Sequence, residues 1–150
     1  MVKKKEILKK LKELSKSERY KEGVELFYST PGIGKLTAIR LVLEWGDLSR
    51  FKRKEEFADF LGIVPGEYST GETERKGHIT KQGNAQVRSW LVEAAWIAIR
   101  YDQVLLKKYR DICKRCSSPK KAIVAVARKL ALRLRAVWLN KIPYVIGVIE

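Results

Sequence analysis

The chain has 150 residues, of which 45% are hydrophobic, so it can build one modest core but not two large domains. Its 32 Lys and Arg against 17 Asp and Glu give a formal net charge of +15. Because such an excess repels itself, it favours a polyanionic partner, with nucleic acid ahead of an anionic membrane surface. The alternative is the lysine- and glutamate-rich surface of a heat-adapted protein, but such surfaces tend to balance their signs.

The N-terminal sequence MVKKKEILKKLKEL is charged and amphipathic and lacks the apolar run of a signal peptide. No stretch approaches the ~20 apolar residues of a membrane span. A cytoplasmic, nucleoid-associated protein without a membrane partner is therefore expected. Cys113 and Cys116 form one CxxC pair, and the single histidine, His78, is distant in sequence. Two reduced thiols are expected rather than a zinc site, although a site shared between two chains is the alternative; no metal ligand is assigned.

The first half of the chain predicts four helices. Residues 3–16 give an amphipathic helix that packs on the core or supercoils with a partner. A second helix is expected in the stretch SERYKEGVELFY, with Ser17 as its cap and three side chains turned inward: Val24, Phe27 and Tyr28. The turn PGIGK then leads into a helix that Gly46 ends. A short helix follows in KRKEEFADFLGIVP.

The second half predicts a polar loop or small hairpin at about 66–79, followed by three helices in residues 84–101, 102–116 and 117–140. The last helix opens with a serine cap and Pro119 in its first turn. Core-facing ridges are expected on two of the helices at Val87, Leu91, Ala94, Ala95 and Ala98, and at Ile123, Ala127, Leu130, Leu134 and Val137. The predicted fold is all-α, a compact multi-helix domain.

Positive charge is concentrated near the C-terminus. Twelve basic residues lie between Lys107 and Lys141, against a single acid, Asp111. Lys121, Arg128 and Arg135 recur every seven residues and so share one helical stripe. Since a solvated helix face normally mixes signs to gain local pairs, this stripe is interpreted as a surface that faces phosphates.

The turn Pro31-Gly32-Ile33-Gly34-Lys35 is typical of a helix-hairpin-helix element. Gly32 and Gly34 would let the backbone approach a phosphate, while amides at the following helix start point outward. Lys35 and Arg40 would add charge without reading bases. The alternative is an ordinary helix connection that contacts no ligand.

The stretch PGEYSTGETERKGHITKQGN carries hydroxyls at Ser69 and Thr70. A hydroxyl attacks a phosphodiester only when a base, a metal or positive charge activates it. Three bases, Arg75, Lys76 and Lys81, could hold the phosphate and its developing charge. Glu67, Glu72 and His78 could move protons or help to hold a metal. Composition alone favours the alternative of an exposed polar loop without chemistry.

Several motifs occur in the chain in the same order as in a known protein family. They are Pro-Gly-Ile-Gly, Gly-Asp-x-x-Arg-Phe, Gly-Ile-Val-Pro, a Ser/Thr-Gly pair, Arg-x-Gly-x-Ile-Thr-Lys-x-Gly-Asn, the helix with LVEAAW, and PKKAIVAVARKLA. From about residue 26 to 140 the chain resembles the C-terminal domain of the insertion-sequence 110/116/902 transposases. The resemblance implies a DNA-handling domain over 26–150, preceded by a linker remnant over 1–25.

The resemblance also implies a serine that links covalently to DNA, which falls here at Ser69, with Thr70 as the alternative. DNA contacts are further expected at Asn84 and Arg88, within the matched motifs. Family members also carry a resolvase-like domain with a metal-binding acidic tetrad, which these 150 residues lack. We therefore expect this chain to bind no cofactor, Mg²⁺ to come from a missing partner domain, and the chain alone to be inactive.

The expected function is DNA binding and strand transfer for an insertion sequence. A structured RNA and a homo-oligomeric assembly are further possible partners. The alternative function is a non-catalytic basic helix-hairpin-helix protein that binds DNA or RNA.

Overall fold

The computed structural model describes residues 2–70 and 73–147, with the backbone alone for 65–70 and 73–78. Seven α-helices lie in the described part: α1 Val2–Leu14, α2 Glu18–Tyr28, α3 Lys35–Trp45, α4 Lys54–Leu61, α5 Ala85–Tyr101, α6 Gln103–Cys116 and α7 Pro119–Asn140. A 3-10 turn at Leu48–Arg50 precedes α4. Two strands, β1 Pro65–Thr70 and β2 Thr73–Ile79, pair antiparallel. The described residues are thus all-α apart from one small hairpin, as the sequence predicts.

Helix α7 is the centre of the core, and α2, α4, α5 and α6 pack against it. Its five predicted ridge residues are all buried, and so are the five predicted on α5. The alanines of α5 allow the two helices to approach closely, since a small side chain keeps little volume between the axes. The ridge predictions for both helices are confirmed.

Helix α2 turns only part of its predicted face inward. Val24 and Phe27 are buried, but Tyr28 is 57% exposed, so that expectation was wrong. Tyr28 follows Phe27 by one residue, which rotates it about 100° around the helix and away from the core. Leu26, which the sequence did not single out, is buried instead. The Phe27 ring meets Trp45 of α3 edge-on, with centroids 5.5 Å apart.

Three helices have a polar side chain that caps their first turn, and the sequence predicted the one at the start of α7. Asn84, Asp102 and Ser118 each accept a hydrogen bond from a backbone amide of the helix that they precede. Ser17 is the N-cap residue of α2, as predicted, but its side chain makes no capping hydrogen bond, and its hydroxyl donates to the Leu14 carbonyl at 2.8 Å. The predicted position is confirmed, whereas the predicted side-chain cap is absent.

Helix α1 contributes little to the core. None of its residues is buried, and Leu11 is the residue of α1 that packs against the core cluster, as a half-buried side chain. Ile7 is 58% and Leu14 47% exposed. Of the two expectations for this helix, packing on the core is met only at Leu11.

A buried polar network ties the C-terminal residues to the bundle. Asp102 ends α5, caps α6 and is fully buried. Its Oδ2 atom accepts from Arg133 Nη1 at 2.7 Å and from the Tyr144 hydroxyl at 2.6 Å. Burial alone would raise the pKa of Asp102, but these hydrogen bonds and the Arg133 charge hold it below its usual value. Arg133, one of the twelve bases between Lys107 and Lys141, is thus an interior residue that neutralises a buried acid.

Candidate nucleic-acid interface

The turn between α2 and α3 contains two glycines with different environments. Gly32 has a φ of +88°, and a Cβ added there would lie 2.3 Å from the Ala94 carbonyl oxygen of α5. Gly34 has an ordinary φ of −73° and nothing within 4 Å of an added Cβ. Gly32 is therefore required by packing on α5, whereas Gly34 faces open space.

The start of α3 leaves polar groups available. Gly34 is its N-cap and supplies no side chain to bond the first-turn amides. Gly34 and Lys35 are both exposed. Uncapped amides and the positive end of the helix dipole attract anions. The described geometry at Gly34 and Lys35 is compatible with a phosphate.

Arg40, the other base predicted near this turn, contacts the protein itself. Its guanidinium lies 5.2 Å from the centroid of the Trp90 ring on α5. The residue is half-buried. A cation over an indole face is attracted by the ring quadrupole, so this contact joins α3 to α5.

The two predicted nucleophiles, Ser69 and Thr70, lie on the first strand of the hairpin, where only their backbone positions are described. Ser69 pairs with Glu74, and Thr70 pairs with Thr73, at the end of the ladder remote from α4 and α5. A register shift between Pro65 and Glu67 interrupts the ladder near its base. The backbones of Arg75 and Lys76 lie on β2. Glu72 lies outside the described residues, as does Gly71, and no side chain from 65 to 78 is described.

The base of the hairpin is held by a set of close backbone contacts at Gly62, Val64 and residues 80–83, which we call the neck. The Thr80 amide donates to the Val64 carbonyl at 3.0 Å, and the Lys81 amide donates to the Gly62 carbonyl at 3.1 Å. A Cβ added to Gly62, whose φ is +70°, would lie 2.0 Å from the Gln82 carbonyl oxygen. Gly83 (φ +79°) would similarly meet the Phe60 carbonyl oxygen at 2.3 Å. These approaches require glycine on both sides of the neck.

Arg88 and Asn84 support the neck from α5. Arg88 Nη1 donates to the carbonyls of Gln82 at 2.8 Å and Gly83 at 3.3 Å. Asn84 Oδ1 accepts from the Gln86 amide at 2.8 Å, and its Nδ2 donates to Glu44 Oε1 of α3 at 2.9 Å. Sequence reasoning missed these structural roles, although an Asn directly before an apolar helix is itself a cap signal. Their predicted DNA contacts stay predictions, as does that of the exposed Lys81.

The predicted stripe on α7 divides into three environments. Lys121 is exposed, and Arg128 is half-buried. Arg135 Nη2 donates to the Phe51 carbonyl at 2.7 Å, which ties α7 to the segment before α4. The seven-residue spacing correctly predicts that the three residues share one face of α7, but it does not predict which parts of the protein contact that face.

The described residues contain no group of three or more His, Cys, Asp or Glu side chains placed to hold a metal ion. No Mg²⁺ site is therefore assigned among those residues. Cys113 and Cys116 are both free thiols. Among the described helices, none is long and apolar enough to cross a membrane.

Comparison with known proteins identifies the family. Residues 24–110 match the model of the Transposase IS116/IS110/IS902 family, so the chain belongs to that family. The matched segment runs from α2 through the turn, the hairpin, the neck and α5 into α6.

Three relatives illustrate the extent of the similarity. A putative transposase, y4qE, of Sinorhizobium fredii is 46% identical over 65 residues, which cover 43% of this chain and 17% of the relative. The transposase for insertion sequence element IS1111A of Coxiella burnetii is 33% identical over 59% of this chain and 24% of its own length. A second Sinorhizobium fredii protein, putative transposase y4pF/y4sB, is 32% identical over 83% of this chain and 33% of its own length. The chain therefore spans a third or less of these relatives.

Proposed function

We propose that this chain is the DNA-binding and strand-transfer domain of a transposase for an insertion sequence, and that Ser69 is its nucleophile. The observation that carries the proposal is the continuous family match over residues 24–110, which takes in the α2–α3 turn, the hairpin and the neck. A separate, metal-bearing domain would complete the enzyme. Residues 1–25 would then be the remnant of a linker, and 26–150 the DNA-handling domain.

DNA binding would use α2, the turn and α3 as a helix-hairpin-helix element. Support comes from the open space at Gly34, the uncapped start of α3 and the exposed Lys35. These groups contact phosphates rather than bases, so binding would be largely independent of sequence. The net charge of +15 would make the affinity strongly dependent on salt.

Strand transfer would place the hairpin against one phosphodiester. The Ser69 oxygen forms a bond to phosphorus while the bond from phosphorus to the leaving sugar oxygen breaks. The hydroxyl proton passes to a base, and the departing oxygen takes a proton in return. Glu67 and His78 are the candidates for these transfers, and Arg75 and Lys76 would stabilise the charge on the phosphoryl oxygens. Mg²⁺ on the separate domain would supply further charge stabilisation.

A denaturing gel tests the nucleophile. The chain, together with its metal-bearing domain, is incubated with labelled DNA that carries the ends of its element. A protein-linked band is expected, and Ser69→Ala should abolish it without changing DNA affinity. The matched control is Ser89→Ala, because Ser89 is exposed on α5 and its side chain makes no hydrogen bond to other described residues.

The outcomes separate the alternatives. A band that survives Ser69→Ala but is lost in Thr70→Ala would transfer the role to Thr70. If no variant and no metal condition gives a band, while DNA still binds, the chain is a non-catalytic binding module. Parallel shifts with a structured RNA and a mass measurement of the complex test the proposed RNA partner and the homo-oligomer.

A further inference from the structure

A cleft of about 320 Å³ opens between α6 and α7, away from the groups used above. Leu105 and Ile112 contribute apolar lining. Its charged lining comprises four bases and one acid: Lys107, Lys108, Arg115, Lys129 and Asp111. Because the apolar lining lowers the local dielectric, the field of these bases is stronger in the cleft than on an open surface.

Three of the cleft bases lack an acidic partner among the described residues. Lys107, Lys108 and Arg115 form no ion pair within the described part of the chain, and Asp111, although it lines the cleft, pairs with none of them. Partial burial lowers the pKa of Lys108, and repulsion from Lys129, Arg128 and Arg115 lowers it further. Lys108 is exposed as a whole residue, so its ammonium group loses only part of its hydration. Such crowding of cations is unfavourable for the free protein and would be relieved by an anion.

We infer that the α6/α7 cleft binds the phosphodiester backbone of a polynucleotide, through Lys108 from its wall and Arg115 at the end of α6. A planar guanidinium fits two phosphate oxygens, and a lysine adds a compact charge. Lys121 is also exposed on α7, eight residues before the cleft-lining Lys129. A chain of phosphates can extend from the cleft toward Lys121, whereas a single small anion would occupy the cleft alone. This inference rests on the nucleic-acid partner of the proposed function but not on its serine chemistry.

The test is fluorescence anisotropy of the whole chain with a labelled DNA duplex and, separately, with an RNA hairpin of equal phosphate count. The double variant Lys108→Gln with Arg115→Gln removes two cleft charges. Lys4→Gln with Lys9→Gln, two exposed positions on α1, removes the same net charge elsewhere. Losing two phosphate contacts should reduce the slope of log K against log salt by about 2 and weaken binding at least about tenfold at ~0.1 M salt. The α1 control should change both quantities much less.

A second readout does not depend on any variant. The lowered pKa gives Lys108 a larger neutral fraction than an ordinary lysine, so an amine-acetylating reagent should modify it readily. Bound polynucleotide should protect Lys108 and leave Lys9 reactive, as read by peptide mass spectrometry.

Each outcome decides the inference. If the cleft variant weakens binding of only one polymer, that polymer is the ligand of the cleft. If it weakens binding of both, the cleft contacts the phosphodiester backbone of DNA and RNA alike. Equal losses in the cleft variant and the α1 control, or unprotected Lys108 in the complex, would overturn the cleft while leaving the proposed function intact. Equally tight binding of poly-glutamate of matched charge would overturn the phosphate assignment. If the unaltered chain binds neither polymer, both proposals fail together.

Discussion

Individual residues in this chain divide between those that hold the fold and those left open to a ligand, and Gly32 and Gly34 illustrate the division. The two lie in one turn and look equivalent in sequence. Gly32 has a positive φ and contacts the Ala94 carbonyl, whereas Gly34 has an ordinary φ and empty space beside it. The first is explained by packing alone, and only the second is free to let a phosphate approach.

Gly32→Ala should therefore destabilise the protein. The added methyl group meets backbone rather than a flexible side chain, and the left-handed conformation adds strain, for a combined cost of at least about 2 kcal/mol. Chemical denaturation measures the loss in the free energy of unfolding. Gly34→Ala is the matched control and should stay within about 1 kcal/mol of the parent, since its backbone suits alanine. A Gly34→Ala protein less stable than Gly32→Ala would contradict the assignment.

A second pair of substitutions on α7 compares a basic residue that holds the fold with one that is exposed. Arg135→Gln removes the donor to the Phe51 carbonyl and should cost about 1–3 kcal/mol of stability. Lys121→Gln alters an exposed side chain and should change stability by less than about 0.5 kcal/mol. If Lys121 contacts DNA, its variant should instead weaken duplex binding in an anisotropy titration. Equal stability of the two variants would show that the Arg135 contact contributes nothing.

At the level of secondary-structure elements, the hairpin carries the proposed nucleophiles and the neck fixes its base. The neck joins the end of α4 to the start of α5 through backbone hydrogen bonds and two closely packed glycines. Arg88 completes it by donating to two carbonyls from α5. A hairpin fixed at its base holds its far end, where Ser69 and Thr70 lie in the strand pairing, in a restricted region. Gly83, Asn84 and Arg88 of the matched motifs therefore have structural roles at the neck and at the start of α5.

Arg88→Gln should loosen the neck while leaving the bundle folded. Without the guanidinium, the Gln82 and Gly83 carbonyls lose their donor, and the amides of Thr80 and Lys81 should exchange with solvent at least about tenfold faster. Hydrogen exchange read by NMR measures this change. Arg100→Gln is the control, because Arg100 is exposed on the same helix and its side chain makes no hydrogen bond to other described residues. Unchanged exchange in Arg88→Gln would mean that the glycine contacts alone fix the neck.

Sequence reasoning succeeded where one helix contains its own signal. The ridges of α5 and α7 follow from periodicity, and the Ser118 cap with Pro119 follows from local chemistry. It failed where the deciding partner lies elsewhere in the chain. Arg133 meets Asp102, Arg135 meets Phe51 and Arg88 meets the neck, and no spacing within a helix predicts those contacts. The candidate nucleophiles were located by motif, and their side-chain geometry is not described.

For the whole molecule, stability depends on the buried network that joins α5, α6, α7 and the C-terminal residues. Burial and the hydrogen bond to Asp102 raise the pKa of Tyr144 to about 12. A phenol whose folded pKa exceeds its unfolded value, about 10, contributes stability below pH ~10 that disappears as the pH rises toward ~12. Asp102 behaves in the opposite sense: its lowered pKa gives stability at neutral pH that is lost as the pH falls below ~4.

Tyr144→Phe removes the hydroxyl from this network and should cost about 1–3 kcal/mol at neutral pH. The difference between parent and variant should be constant from pH ~6 to ~9 and shrink above pH ~10, where the parent loses its phenolic contribution. Denaturation midpoints across this range measure it. Tyr101→Phe is the control, because Tyr101 is exposed, and it should show no such difference. A Tyr144→Phe difference that persists to pH ~12 would contradict the raised pKa.

We propose that this basic helical domain is the nucleic-acid-handling part of a transposase. A titration of the whole chain against duplex DNA, over a series of salt concentrations, tests this proposal. We expect tight binding at ~10 mM salt that weakens steeply, with a slope of log K against log salt corresponding to several phosphate contacts. Absence of binding at ~10 mM salt, or an affinity that salt does not change, would contradict the account.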